Sequence, residues 1–227
     1  MIDGGNDQGW LHPDVAYLVT ELESELHALE EDTDALQHSE ALDDRSARSL
    51  IAGIDHSISL MRRVILDTLD VRAIETGGFA IERSLTDVRS VLLAGVEHID
   101  ACDRARISTR TTLPLHLPVD RGRLTRAYEA LLHVALASSE RSPLIARLDR
   151  YADRAALTVL AVGTTAAKRL TDMLRRDRVP AREWTAEQIA VYVARHTVVA
   201  HGGAIGADSL HEIGSRLYIE LPLAQPA

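Results

Sequence analysis

The sequence predicts an α+β protein, in which a hairpin of two long helices precedes a domain with helices packed on one face of a mixed sheet. Two long amphipathic stretches lie before Gly78. After Gly78 the pattern of apolar and polar residues changes, and short strand-like runs alternate with helical ones. The expected organisation is a disordered N-terminus at residues 1–12, a helical hairpin at 13–78 and an α/β sandwich domain at 79–225.

The first helix of the hairpin is expected to run from about Pro13 to Asp32. Its apolar residues recur every three or four positions, which is typical of one buried helical stripe. The members of this stripe are Val15, Leu18, Val19, Leu22, Leu26 and Leu29. A polar, acidic break with the sequence EEDTDALQHSEALDD follows the helix.

The second helix is expected from about Asp43 to Ile74, and Gly77 and Gly78 should stop it. Its predicted buried face consists of Leu50, Ile51, Ile54, Ile58, Met61, Ile65 and Leu69. A two-helix hairpin cannot bury such a stripe by itself. The sequence therefore predicts a homodimer in which two hairpins form a four-helix bundle.

The segments after Gly78 predict the elements of the sheet domain in order. FAIERSLTDVRSVLLAGVEHIDACDRARI predicts a short strand and a helix, STRTTLPLHLPVD a strand that leads into a turn, and RLTRAYEALLHVALASS a helix. LIARLDRY and AALTVLAVG are expected to form neighbouring antiparallel strands. TAEQIAVYVARHTVVAHGG predicts a helix that ends at Gly202 and Gly203, and SRLYIELPL a closing strand.

The composition argues against several classes of function. A net charge of -9 disfavours binding to nucleic acid or to an anionic membrane surface. No apolar run approaches the roughly 20 residues of a membrane span, and the N-terminus lacks the pattern of a secretory signal. The single cysteine, Cys102, cannot form an intrachain disulfide, so a cytoplasmic location is expected. The histidine spacings do not indicate a metal site.

Five segments resemble the conserved boxes of sensor histidine kinases, in the order of that family. VTELESELHAL resembles the histidine box, RRVILDTLDVRAIETGGFAIE the second hairpin helix, and VDRGRLTRAYEALLHVALASS the N box. AALTVLAVGTTA resembles the first glycine box, and AVYVARHTVVAHGGAIGADSLHEIGSRLYIELPL the C-terminal part of the domain. The resemblance covers most of residues 13–223, and it implies a dimerisation hairpin followed by a GHKL-type ATPase-like domain.

The same resemblance implies that the nucleotide-binding groups have been replaced. Val134 stands where the N box has its magnesium-binding asparagine, and Ala130 stands at a second asparagine position of that box. Ala161 stands where the family has the aspartate that binds the adenine amino group. The resemblance therefore implies a degenerate GHKL-type domain that needs no cofactor and binds no ATP.

The glycine boxes are also incomplete by comparison with the family. Gly163 is retained in the first box, but Thr165 occupies the next glycine position. In the ATP-lid glycine box, Ala186, Gln188 and Ala190 replace glycines by the same resemblance. A Cβ atom at such positions restricts the backbone angles and obstructs close approach to phosphates.

By resemblance, Thr20 occupies the position of the phosphorylated histidine. A threonine phosphate ester transfers its phosphate far less readily than a phosphohistidine, so autophosphorylation is not expected. The surface around Thr20, Glu21, Ser24 and His27 corresponds to the face that docks response regulators in the family. His27 lies seven residues after Thr20 and so falls on nearly the same helical face.

The sequence leaves three hypotheses open. The first is a non-catalytic homodimer that binds and regulates a two-component partner, either a response regulator or a kinase. The second is a phosphotransferase that relays phosphate between response regulators through a displaced histidine such as His27. The third is a ligand pocket formed where Val134, Ala161 and Ala190 replace the nucleotide-binding groups. The arginine-rich segment at 169–184 is interpreted as a flexible remnant of the ATP lid or as a docking segment for an acidic partner.

Overall fold

The fold was analysed in a computed structural model, which describes residues 26–29, 31, 33, 44–111, 114–175, 185–211 and 214–223. The chain divides into two compact units, with the boundary at Asp70 and Val71. Of the described residues, those up to Asp70 belong to the first unit and those from Val71 onward to the second. Within the described ranges, every helix is too short or too polar to cross a bilayer.

Helix α1 spans Asp44–Glu75, close to the bounds expected from the sequence. It ends because Gly77 adopts a φ of 73°, which glycine tolerates without steric cost. The amide of Gly78 donates to the carbonyl oxygen of Ala73 at 2.8 Å and so closes the last turn. Residues 26–29, 31 and 33 are also helical, while the rest of the predicted first helix lies outside the described residues.

The apolar stripe of α1 is only partly covered in a single chain. Ile51, Ile58 and Ile65 keep 52%, 50% and 49% of their surface exposed, although the sequence places them on a buried face. The buried apolar residues of the helix include Val64 and Val71 instead. The exposed isoleucines recur at seven-residue intervals, which is the repeat of a helix that packs against another helix.

The second unit contains the remaining helices and strands. Its helices are α2 (Val88–Glu97), α3 (Ala101–Arg104), α4 (Arg121–Ser138), α5 (Thr165–Leu174) and α6 (Ala186–Ala200). Its strands are β1 (Ser84–Asp87), β2 (Ile107–Thr111), β3 (His116–Val119), β4 (Leu144–Arg150), β5 (Arg154–Val162), β6 (Ala204–Leu210) and β7 (Gly214–Pro222).

The described strands form two sheets. β1 and β3 pair antiparallel in a two-stranded sheet, and the other five strands have the order β2-β4-β5-β7-β6. β2 is parallel to β4, whereas the β4–β5, β5–β7 and β7–β6 pairs are antiparallel. The mixed α+β fold expected from the sequence is thereby confirmed.

Three elements differ from the sequence-based expectation. STRTTLPLHLPVD contributes two strands, β2 and β3, which belong to different sheets. β6 was not anticipated, and it forms an edge of the larger sheet. Residues 169–174, predicted to be part of a flexible lid remnant, lie in helix α5, and Arg169 forms an ion pair with Glu187 of α6.

The core lies between the helices and one face of the larger sheet. Alternate residues of β4, β5 and β7 point into it, because successive side chains of a strand face opposite sides. The largest fully buried side chains are Tyr128, Leu92, Leu124, Leu131, Leu132, Leu144, Leu148, Leu157, Leu170, Leu217, Ile219 and Leu221. The other face of the sheet carries ion pairs such as Arg147–Asp149 and Arg216–Glu220.

Two glycines permit close approaches that position the helices on this sheet. A Cβ atom on Gly95 of α2 would lie 2.9 Å from Cδ1 of Tyr128, so a side chain there would separate α2 from α4. A Cβ atom on Gly203, between α6 and β6, would lie 2.3 Å from the carbonyl oxygen of Glu220 in β7. The first contact sets the separation of α2 and α4, and the second brings the turn after α6 against β7.

Candidate functional site

Helix α4 places Ala130 and Val134, the positions compared with the N-box asparagines, in the core. The helix begins at an N-cap formed by Asp120, whose Oδ1 accepts from the amide of Arg123 at 3.0 Å. From that start, the helical repeat points Ala130 and Val134 inward, with 3% and 0% of their surface exposed. Neither side chain has a polar atom, so neither can coordinate a cation.

Strand β5 places Ala161 at the same core. Ala161 is buried and pairs across the ladder with Ser215 of β7. It offers no carboxylate with which an adenine amino group could form a hydrogen bond. Ala130, Val134 and Ala161 thus belong to one hydrophobic cluster, and Ala190 of α6 packs against it.

Ser215 holds the corner between β5 and α5 together. Its hydroxyl donates to the carbonyl oxygen of Gly163 at 2.6 Å and accepts from the amide of Ala167 at 3.0 Å. The second bond satisfies an amide in the first turn of α5, where the N-cap residue Thr164 makes no side-chain hydrogen bond. Ser215 was not singled out from the sequence, since its role depends on a contact between distant segments.

The first glycine box turns the chain from β5 into α5. Gly163 has a φ of 79°, a conformation that favours glycine. Thr165, at the second glycine position by resemblance, is the first residue of α5. The box therefore keeps its turn but continues directly into a helix whose second and third residues, Ala166 and Ala167, are buried.

The three positions compared with glycines of the ATP-lid box, Ala186, Gln188 and Ala190, lie in the first turns of α6. Thr185 and Gln188 form a capping box, in which the Gln188 amide donates to Oγ1 of Thr185 at 3.3 Å. In return, the Thr185 amide donates to Oε1 of Gln188 at 3.0 Å. Ala186 starts the helix, and Ala190 faces the core. Thr185 and Gln188 thus stabilise the N-terminal end of α6.

Of the four residues predicted to form the partner surface, the structure describes only His27. Thr20, Glu21 and Ser24 lie outside the described residues. His27 is helical and its side chain is 73% exposed, with Nε2 at 3.5 Å from Oε1 of Glu31 one turn later. Among the described residues, no group of three histidine, cysteine, aspartate or glutamate side chains is placed to hold a metal ion.

Comparison with known proteins gives structural matches. No protein family matches the sequence, and neither does any curated protein. The structure is similar to the histidine kinase AdeS of Acinetobacter baumannii, with 15% identity, a TM-score of 0.55, and 94% of this chain and 98% of that chain covered. It is similar to a bacterial phosphotransferase, with 12% identity, a TM-score of 0.54, and coverage of 91% and 93%.

Comparison with an isolated catalytic domain gives the same result. The catalytic domain of the histidine kinase ThkA matches with 14% identity, a TM-score of 0.52, and 64% of this chain and 99% of that domain covered. At these identities the similarity shows the fold. The chain therefore has the fold of the sensor histidine kinases with a GHKL-type domain, as the sequence motifs predict.

Proposed function

We propose that this chain, which has the histidine-kinase fold, is a two-component signalling protein that binds and regulates a partner without binding ATP or phosphorylating itself. The observation that carries the proposal is the apolar core at the nucleotide positions, where Val134 is fully buried and Ala161 nearly so. A buried valine and alanine replace a cation ligand and an adenine-binding carboxylate. In this proposal the protein acts in the cytoplasm and needs no cofactor.

The size of the loss supports the absence of nucleotide binding. Each hydrogen bond that involves a charged group contributes about 1.5–3 kcal/mol. Losing the contacts at Val134 and Ala161 therefore costs roughly 3–6 kcal/mol, or a factor of about a hundred to ten thousand in affinity. The helix-capping role of Gln188 adds to this, since that backbone is already engaged within the protein.

Calorimetric titration with Mg·ATP tests the absence of nucleotide binding. We expect no heat of binding at millimolar nucleotide, whereas a competent histidine kinase domain titrated in parallel should bind. Binding in the micromolar range would contradict the proposal, because it would require other residues to compensate for Val134 and Ala161. The protein would then be a divergent kinase or a nucleotide sensor.

We further propose that the functional unit is a homodimer joined through the hairpin at 13–78. The half-exposed isoleucines at 51, 58 and 65 form a stripe with the heptad spacing of a helix interface. Leu69 continues the stripe with 58% of its surface exposed. Covering such a stripe with a second copy buries apolar surface that water otherwise contacts.

The partner in this proposal is a response regulator or a kinase that docks around Thr20, Glu21, Ser24 and His27. The exposed imidazole of His27 supports a role for this face in recognition. Biosensor binding to purified response regulators tests it, with Ser24→Arg as the disruptive variant. We expect at least tenfold weaker binding for Ser24→Arg and unchanged binding for Ser108→Arg, an exposed position on β2 in the second unit. Equal binding by both variants would remove this surface from the proposal.

A phosphotransferase is the second candidate, because His27 presents an exposed imidazole and a bacterial phosphotransferase shares the fold. In this reaction, Nε2 attacks the phosphorus of an aspartyl phosphate on a response regulator. The aspartate carboxylate leaves, and the ring forms a phosphoramidate. A regulator carrying labelled phosphate would then label this protein, and His27→Ala would abolish the label. Binding without label supports the non-catalytic proposal.

A further inference from the structure

His201 lies in the core immediately after α6, and its ring is held in one protonation state. The residue is fully buried. Its Nδ1 lies 2.7 Å from the carbonyl oxygen of Thr197, and its Nε2 lies 2.9 Å from the amide nitrogen of Asp120. A carbonyl oxygen only accepts and a backbone amide only donates. The ring is therefore neutral, with its proton on Nδ1.

The same helix ends hold the segment that joins α1 to β1. The amide of Glu82 donates to Oδ2 of Asp120 at 3.2 Å, and Nη2 of Arg83 donates to the carbonyl oxygen of Ala200 at 2.8 Å. The guanidinium carbon of Arg123 lies 4.3 Å from the centroid of the Phe79 ring. The joining segment, residues 79–83, is thus attached to the start of α4 and to the end of α6.

Asp120 connects this attachment to the histidine. Its backbone amide donates to His201, while its carboxylate accepts from Glu82 and from the amide of Arg123. One residue therefore serves the buried ring, the N-cap of α4 and the joining segment at once. A change in the position of the Asp120 backbone affects all three.

We propose that His201 is a proton-operated anchor for the joining segment, which is held while the ring is neutral and released when Nε2 takes up a proton. Protonation gives Nε2 an N–H group that faces the N–H group of Asp120, so the accepting bond is lost and two donors confront each other. The start of α4 must then move away from the end of α6. Glu82 contacts the start of α4 and Arg83 the end of α6, so the segment cannot keep both contacts when these two helix ends move apart.

The charged surroundings of His201 decide the pH at which release occurs. Burial lowers the pKa of His201, while the hydrogen bond to Thr197 and the charge of Asp120 raise it. Arg83 from the joining segment and Arg123 from α4 lower it further. Because the net effect is a pKa below 6.5, the held form is favoured near neutral pH and is lost as the pH falls through the folded-state pKa.

Below pH 6.5 the population of the released form is expected to rise by up to about tenfold per pH unit, until the ring is protonated in the folded state. This device concerns the regulation of the molecule and does not depend on whether it binds a nucleotide or a regulator. Mild acidification would release residues 79–83 from the start of α4 and the end of α6 within the second unit.

Hydrogen exchange of the full chain at pH 7.5 and pH 5.5 tests the proposal, with rates corrected for intrinsic exchange. We expect the amide of Glu82, which loses its hydrogen bond to Asp120 on release, to exchange several-fold and up to about tenfold faster at pH 5.5, while the amides of β5 change little. His201→Gln keeps an acceptor for the Asp120 amide but does not titrate, so the pH difference should vanish. His116→Gln, at an exposed histidine of β3, should retain it.

An unchanged exchange rate at residues 79–83 would overturn the proposal, and so would a pH response that survives His201→Gln. Should that variant fail to fold, the wild-type protein supplies a second measurement. Exchange in residues 79–83 must then rise as the pH falls below 6.5 and level off where the NMR titration shows the His201 ring to be protonated in the folded protein. A His201 ring that is already protonated at neutral pH while the segment stays protected would also overturn the proposal.

Discussion

Thr197 carries a buried hydroxyl group that makes no hydrogen bond within the described part of the chain. An unpaired buried polar group costs about 1–3 kcal/mol, and valine has nearly the same shape without the hydroxyl. We therefore expect Thr197→Val to raise the free energy of unfolding by roughly 1 kcal/mol and Tm by about 2–4 °C. Urea denaturation and thermal melting measure both quantities.

Ser215→Ala is the matched control for this substitution, since the Ser215 hydroxyl is equally buried but makes two hydrogen bonds. Its removal leaves the amide of Ala167 without its partner, so a loss of roughly 1–3 kcal/mol is expected. If both variants shift stability in the same direction, hydrogen bonding is not what distinguishes the two hydroxyls.

At the scale of residues, the sequence predicts which groups have been replaced but not which contacts hold the site together. Val134 and Ala161 are recognisable because each fills one position of a known motif. Ser215 lies 52 residues from the Gly163 carbonyl that it binds, and His201 lies 81 residues from Asp120. Such pairs depend on how helices and strands pack, which local sequence patterns do not report.

The turn between α6 and β6 depends on Gly203. Its missing side chain allows the backbone to pass against Glu220 of β7, where a Cβ atom would lie 2.3 Å from the carbonyl oxygen. Because that neighbour is backbone in a central strand, it cannot move aside cheaply. We expect Gly203→Ala to lower the free energy of unfolding by roughly 1–3 kcal/mol, measured by chemical denaturation.

Gly122→Ala is the control for Gly203→Ala. It tests whether the lower free energy of unfolding comes from the close backbone contact at Gly203 or from replacing any glycine by alanine. Gly122 lies in the first turn of α4, where an added Cβ atom would meet its nearest neighbour at an ordinary 3.8 Å. Alanine favours helices more than glycine, so this variant should gain up to about 1 kcal/mol. Equal losses in the two variants would argue against a special role for Gly203.

At the scale of elements, strongly periodic segments are predicted well and weakly patterned ones are missed. The helical repeat identifies α1, α4 and α6, and the apolar runs identify β4, β5 and β7. β6, with the sequence AIGADSL, contains a glycine and has exposed residues at its end, so its pattern is weak. Its Gly206 fits beneath the ring of Tyr218 on the neighbouring strand, a contact that only pairing reveals.

For the whole molecule, the isoleucine stripe of α1 leads to a prediction about its oligomeric state. Ile58→Glu places a charge in the middle of the stripe, where burial against a second copy would require costly desolvation. We expect the variant to be monomeric under conditions in which the unchanged protein is a dimer, as measured by analytical ultracentrifugation. Ser59→Glu adds the same charge at an exposed neighbouring position outside the stripe and should remain dimeric.

The dimer would be contradicted if the unchanged protein were monomeric. If both variants dissociated, the effect would be due to added charge alone.

The sequence predicts the two-part organisation and the existence of a mixed sheet. It does not predict the strand order, because β7 inserts between β5 and β6 although β6 precedes it directly in the chain. Order in a sheet is decided by which long-range pairs form, and the strand sequences alone are compatible with several orders.

The central position of β7 has a consequence for biosynthesis. As the chain emerges from the ribosome, β5 and β6 appear before the strand that joins them. Until β7 follows, β5 is paired only with β4 and β6 has no partner. Ser215 on that strand also completes the start of α5, so this helix gains its cap equally late. The nascent chain must therefore keep two strand edges apart until β7 is exposed, and it depends on β7 for protection against self-association during translation.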